Sequence, residues 1–527
     1  MPRRLIIHVL LIALTLVVVI SSNGRESSPG RWMAGDFHQH SYFTDGRNRL
    51  ADVLGNGVNY GLDWEANSEH GGAGARDGEG NFWDDASVYS TNPARGDEAK
   101  SGEHRGMWRW QSLIEFAFPI IQRVRGENPK NLIATGLEWN VPGHEHCSVG
   151  IVATDAAPIG EFEYRFDRAD NDTSGGLKAA WQGKQFNQDD HQKAVEAAKW
   201  LQANHRESSW MVFAHPERVS SYTASSFRDF NDAGPDVAFG FEGLPGHQKQ
   251  ENRGGYRERA VGKGTYGGAG AYIAEVGGLW DSLLGEGRHW WTFVSSDFHS
   301  TGGDFWPGQY AKTWTYVPDS DRSGSFSLTE VASGLRSGNT FCVHGDLIDA
   351  LDLRVESQGR RAGMGDTLQV RAGRRLDVKI RFRSPGRNDH GDRPQVRSVQ
   401  LIAGNVGPRA SKFLDDGTTA NPEYERDTNE STRVVASYSE GDLKRGKSGW
   451  YETPTYRMKK LDGDMYFRIR GSSLPPGTPN ETDSEGNPLA DSEQTGLNPE
   501  EAAWKDLWFY SNPVFVESTA SSTLQPK

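Results

Sequence analysis

Between residues 33 and 345, one short apolar run after another ends on a histidine or a carboxylate. Met33 to His40 reads as a strand carrying His38 and His40. Leu62 to Asn67 leads into Ser68-Glu69-His70. Asn131 to Leu137 stops at Glu138, and Trp210 to Ala214 stops at His215-Pro216. Asp236 to Phe241 ends in Glu242-Gly243, and Trp290 to Ser295 ends in Ser296-Asp297-Phe298-His299. Helix-like segments lie between them: Arg49 to Gly57, Met107 to Val124 with a kink expected at Pro119, Asp189 to His205, Ala271 to Leu284 and Leu328 to Ser337. Strand and helix in alternation predict a parallel sheet or barrel. In such barrels the C-terminal ends of the strands form the active face.

The residues at those ends share one chemistry. His38 and His40 are one residue apart on an extended segment, so their imidazoles point the same way and can reach one ion. Asp45 precedes Gly46 in the turn that follows and can reach back. The further candidates are His70, Glu138, His144 or His146, His215, Asp297 and His299, all nitrogen or carboxylate-oxygen donors. That set suits zinc, manganese or iron rather than calcium. The 2 cysteines, Cys147 and Cys342, are too few for a Cys-ligated zinc ribbon and enough for one disulfide at most. A single buried histidine is often just a hydrogen-bonded core residue; the signal is the set. Glu138, at the end of an apolar strand beside His144 and His146, needs a partner for its charge. The Gly-x-Ser-x-Gly turn of many serine hydrolases does not occur.

The order and wording of DFHQHSYFTDG, NSEHGG, TGLEW, GHEHCSVGI, VFAHPE and SSDFHS, from about residue 35 to 345, resemble the polymerase and histidinol phosphatase (PHP) superfamily of metallophosphoesterases. Leu335-Arg336-Ser337-Gly338-Asn339-Thr340-Phe341, followed by a β-rich tail, is similar to its exported CehA/McbA-type branch. The resemblance implies a distorted (β/α)7 barrel with two or three divalent ions (Zn, Mn or Fe) at its mouth. It assigns His38, His40, Glu138 and Asp297 to one ion. It has Glu138 bridge to a second ion held by His146 and His215, and gives Asp45, His70 and His299 to a third. His144 competes with His146 for the second ion; His146 is favoured because it directly abuts the apolar run from Cys147 to Thr154, which leaves His144 either behind a ligand or facing the substrate. Glu138, Asp297 and His70 are expected at the reacting centre. Arg218 and His247 are candidate substrate contacts, Arg218 as a clamp for an anion. Two ions a few ångströms apart lower the pKa of a shared water to give hydroxide near neutral pH. The expected reaction is hydrolysis of a small phosphate ester. The alternatives are a carboxylic ester, amide or carbamate on the same scaffold, or a surface protein that binds metal or ligand without turnover.

The chain of 527 residues is too long for one ordinary domain. Its first 22 residues, with Arg3 and Arg4 before an apolar run from Leu5 to Ile20, read as a secretory signal peptide, with an uncleaved anchor as the alternative. The expectation is an exported protein, periplasmic or extracellular. A PHP-like metallohydrolase barrel is expected over 33–348. Past Asp349 the pattern changes to short alternating stretches separated by turns, which predicts a smaller all-β sandwich over 349–518. A net charge of -13 argues against nucleic-acid binding, which needs a basic face.

Overall fold

The computed structural model describes residues 29–176, 181, 184, 190–219, 221–256, 260–446, 448–491 and 498–519. The expected leader lies outside them. Among the described residues no helix is long and apolar enough to cross a membrane.

The chain is mixed α/β, built on several sheets. In one, Gly30–Asp36 runs parallel to Trp64–Ala66, which runs parallel to Leu132–Ala134. In another, Ser209–Phe213, Ala238–Leu244 and Trp291–Val294 are parallel neighbours. Onto the edge of that trio fold His146–Ile151 and then Gly136–Asn140, both antiparallel to their neighbours. Residues 141–145 are too few for the crossover a parallel partner needs, so this pair must form a hairpin. Ala311–Pro318 is likewise antiparallel to Gly30–Asp36. The regular parallel alternation read from the sequence is therefore interrupted at these strands. Two isolated bridges join the two sheets, Gln39 to Phe298 just beyond their strand ends and His70 to Glu138 in the middle of Gly136–Asn140. Both bridges fall among the histidines and carboxylates singled out above.

The helices follow local rules with instructive exceptions. His191–Asn204 is capped by Asp190, whose side chain accepts from Gln192 N. Leu328–Ser337 opens with a capping box of Ser327 and Glu330 and closes on Gly338 at φ 72°. The segment expected as one kinked helix is Arg109–Ser112, a π-helical turn over Leu113–Ala117, and Phe118–Glu127. The wider turn just before Pro119 makes room for the proline ring and for the carbonyl that its missing N–H leaves without a helical partner. The helix expected over 271–284 is split into Ala271–Ala274 and Leu279–Leu284, with Gly277 between them at φ 86°. Within the stretch from Ala156 to about Gln188, which reads from the sequence as a polar insertion, lies the helix Ala157–Phe166, whose Phe162 and Glu163 are buried.

Beyond Asp349, Ala350–Ser357 and Leu376–Arg383 pair antiparallel and alternate buried with less buried positions. Their sheet packs on a second one through contacts such as Phe382 against Phe509, 6.1 Å between ring centres. The second sheet continues into the first part of the chain: Trp508–Ser511 pairs antiparallel with Thr340–His344 on one side and Met465–Ser472 on the other. Cys147 and Cys342 are both buried and free, so the disulfide allowed by their number does not form.

Candidate metal centre

His38 and His40 sit just past the end of Gly30–Asp36, held extended by the Gln39–Phe298 bridge. His215 follows Ser209–Phe213, and Asp297 follows Trp291–Val294. Both are non-glycine residues at positive φ, 27° and 44°. That conformation costs of order 1–3 kcal/mol and persists only where the surroundings impose it. Glu138 comes from Gly136–Asn140 and is buried at the centre.

The ligand-type atoms converge in three overlapping groups. In the first, His38 Nε2 is 3.1 Å from Glu138 Oε1 and 3.2 Å from Asp297 Oδ1. His40 Nε2 is 3.2 Å from Glu138 Oε2 and 3.4 Å from Asp297 Oδ1. In the second, Glu138 Oε1 is 3.0 Å from His146 Nδ1 and 3.1 Å from His215 Nε2. In the third, Asp45 Oδ2 is 3.5 Å from His70 Nε2 and 3.3 Å from His299 Nε2. His70 links the groups, because its Nδ1 lies 2.9 Å from Glu138 Oε2. An ion bound at about 2.1 Å has neighbouring ligand atoms about 3.0–3.4 Å apart, and the spacings here, from 2.9 to 3.5 Å, centre on that range.

Hydrogen bonding accounts for His215 Nε2 with Glu138 Oε1 but leaves other atoms of the centre without a partner. Nε2 of His38 and His40, Nδ1 of His70 and His146, and Oε2 of Glu138 are buried without a hydrogen-bond partner. Buried polar atoms normally have one, so several orphans facing one centre fit a divalent ion. Burial lowers His38 and His70, but the carboxylates facing them raise both above the usual imidazole range, so an ion binding here displaces their protons. The other charge states already fit. Burial raises the Glu138 carboxyl, but His146, His38 and His70 hold it well below the usual carboxylate range. Asp297 is driven down in the same way by His38, His247 and Arg218. Burial, reinforced by Arg218, keeps His215 well below the usual imidazole range. Ionised carboxylates and a neutral imidazole are the forms that ligate.

An outer ring orients these side chains. Glu242 accepts from His215 N at 3.1 Å and Ser295 Oγ at 2.7 Å, and lies 2.8 Å from His38 Nδ1. Asp304 takes the N–H groups of His299 and Ser300 at 2.7 and 3.0 Å and faces His247 Nδ1 at 2.6 Å. Asp36 clamps His38 N and Ser296 N, each at 3.0 Å. The centre opens into a cavity of about 640 Å³ whose wall includes Arg47, Arg218, His247 and Gln250. Arg218 Nη2 donates to Asp297 Oδ2 at 2.7 Å, and its buried Nε has no partner.

Of the residues read from the sequence, the structure gathers His38, His40, Asp45, His70, Glu138, His146, His215, Asp297 and His299, with Arg218 and His247 on the cavity wall. It leaves His144 outside. That ring stacks on Tyr222 at 4.6 Å, and its nitrogens face Ser221 O and His191 Nδ1, both at 2.7 Å. Sequence reading missed Asp304, a bare aspartate in a glycine-rich loop. It also missed Glu145, which groups with His146 and His215 and was visible only as the middle of His144-Glu145-His146.

No family model matches the chain, and no curated protein matches it. Among solved structures, it is similar to a crystal structure from Bacteroides vulgatus described as a two-domain protein containing a predicted PHP-like metal-dependent phosphoesterase. The identity is 12%, the alignment covers 88% of this chain and 97% of that one, and the TM-score is 0.35.

Proposed function

We propose that the chain is an exported, multinuclear metal-dependent hydrolase of the PHP type, related to the CehA/McbA-like branch, that acts on phosphate esters. The observation that carries this reading is the convergence of His38, His40, His146 and His215 on Glu138, with ligand-type atoms left without hydrogen-bond partners. We read the two bridged sheets as a distorted barrel over 33–348, followed by a β-sandwich over 349–518 and preceded by a cleaved leader.

Divalent ions held here would polarise a substrate ester and supply hydroxide at neutral pH. The protein's own part is positioning. Glu138 faces the first group through both oxygens, the second through Oε1 and His70 through Oε2, so this side chain sets their spacing. Asp297 faces His38 and His40 through one oxygen and Arg218 through the other. His70 couples Glu138 to Asp45. Arg218 offers the cavity a planar guanidinium with an unpartnered Nε, a shape and charge that match a phosphoryl group. His247, held from behind by Asp304, presents Nε2 on the same side.

The test is hydrolysis of matched aryl substrates by manganese- or zinc-loaded protein: a phosphate monoester, a phosphate diester, a carboxylate ester and a carbamate, with His38→Ala as the blank. Turnover of a phosphate that the variant loses is expected. Turnover of the carbonyl substrates alone would move the chain to ester or carbamate hydrolysis. Bound metal with no turnover would favour the binding-protein alternative.

A further inference from the structure

We propose that Arg109 is a positioning residue that assembles the Asp45–His70–His299 group by tying together the two loops that carry Asp45 and His70. The inference rests on divalent ions occupying the centre described above. Arg109 opens the short helix Arg109–Ser112, and its side chain is buried. Nε donates to His70 O at 2.7 Å, Nη2 to Phe43 O at 2.8 Å, and Nη1 to Ser112 Oγ at 2.7 Å. One planar fork thus holds the backbone of His70 and the backbone two residues before Asp45. The approach is close by design: a Cβ on Gly74 would lie 2.7 Å from Arg109 Nη2 and 2.5 Å from Phe43 O. Lysine cannot replace the fork, because a single ammonium does not present donors along two fixed directions.

Two buried carboxylates complete the brace. Glu69, next to His70, accepts from Ser41 N at 3.2 Å and from Ser41 Oγ and Thr44 Oγ1, each at 2.5 Å. It therefore grips the His40–Asp45 loop from the His70 side. Glu163 accepts from Gly72 N at 2.8 Å and Trp110 N at 2.9 Å, locking the start of the Arg109 helix to the chain just after His70. Thr44 Oγ1, which Glu69 holds, also lies 3.4 Å from His40 Nδ1 of the first group, whereas Arg109 and Glu163 bond to the chain around His70 and Phe43. His38 and His215 are oriented instead by Glu242, on a strand of the other sheet. The third group is also the outermost: the Asp45 side chain is 57% exposed, against 1% for Glu138. Its geometry depends on loop order, and loop order here depends on Arg109.

The experiment is metal content per chain, with stepwise manganese affinities by titration, for full-length wild type, Arg109→Lys, Glu69→Gln and, as the direct control, Asp45→Asn. Melting temperature is followed in parallel. The expected result is that Arg109→Lys and Asp45→Asn each hold one ion fewer than wild type. The weakest site should lose at least tenfold in affinity while the tighter sites stay within about threefold. Glu69→Gln should weaken the same site, which keeps the test open if Arg109→Lys does not fold. Several results overturn the proposal: Arg109→Lys with the wild-type complement and affinities, all ions lost together with the fold in both variants, or Asp45→Asn as fully loaded as wild type. Wild-type protein that binds no ion would instead overturn the metal reading itself.

Discussion

His38 is held by Glu242. Its Nδ1 lies 2.8 Å from the Glu242 carboxylate, which fixes the tautomer and leaves Nε2 to face Glu138 and Asp297. Glu242 also takes the N–H of His215 at 3.1 Å, so one buried carboxylate sets ligands of two groups. Glu242→Gln keeps the size and one acceptor but loses the charge that makes His38 a strong donor. Removing such a partner typically lowers metal affinity about 10–100-fold. Chelator competition measures this, and an unchanged affinity in the variant would show that Glu242 only fills space.

Glu138 faces histidines of all three groups, His38, His146 and His215 through Oε1 and His40 and His70 through Oε2. Glu138→Gln should eliminate turnover and reduce bound metal. Metal binding to the folded state raises the melting temperature with ion concentration, so chelator should lower the wild-type transition and manganese should restore it. The variant should show little of that shift. Full loading together with retained turnover would refute the role.

Much of this centre was legible in the sequence because strand periodicity and strand ends are local properties. His38 and His40 had to point together, and Glu138, His215 and Asp297 each close an apolar run. The antiparallel turn at residues 141–145 was less legible, because strand direction depends on what the connection can span. His144 and His146 could not be separated by spacing alone; tertiary contact decides, since Tyr222 and His191 hold the His144 ring elsewhere. Asp304, Arg109 and Glu163 were silent because they act through backbone N–H and C=O groups brought close only by the fold. The helix at 157–166 was hidden by its polar residues, among them Glu163, which is buried as part of that brace.

A pH prediction follows from Asp229. Burial raises its carboxyl, but hydrogen bonds from His191 and Lys412 outweigh that and hold it down to about 2. A carboxyl whose folded pKa lies below its unfolded value near 3.9 contributes stability that is present above that value. The contribution is lost as pH falls from about 4 towards 2. Urea unfolding at a series of pH values should therefore show Asp229→Asn less stable than wild type at neutral pH, with the gap closing through that acid window. A gap independent of pH would mean that the contacts of the Asp229 carboxylate with Lys412 and His191 are not its source.

The last prediction concerns the junction at residue 349. Arg468, in the C-terminal part, forms a two-point pair with Asp281 at 2.8 and 2.6 Å, and neither side chain is exposed to solvent. Tyr466 OH donates to the same carboxylate at 2.8 Å, and Trp280 lies against the guanidinium at 4.8 Å. Removing one member of a buried pair strands the other charge away from water, a loss of about 3–5 kcal/mol. Asp281→Ala should show that loss in denaturant unfolding. Ending the chain at residue 348 removes Arg468 and also the strand Trp508–Ser511, which leaves Thr340–His344 with an open edge of unpaired backbone groups. Such a fragment should aggregate or melt without cooperativity even though the candidate metal residues all precede residue 348. A soluble, monomeric, metal-binding fragment with a sharp melt would show that the C-terminal part is an accessory domain rather than part of one folding unit.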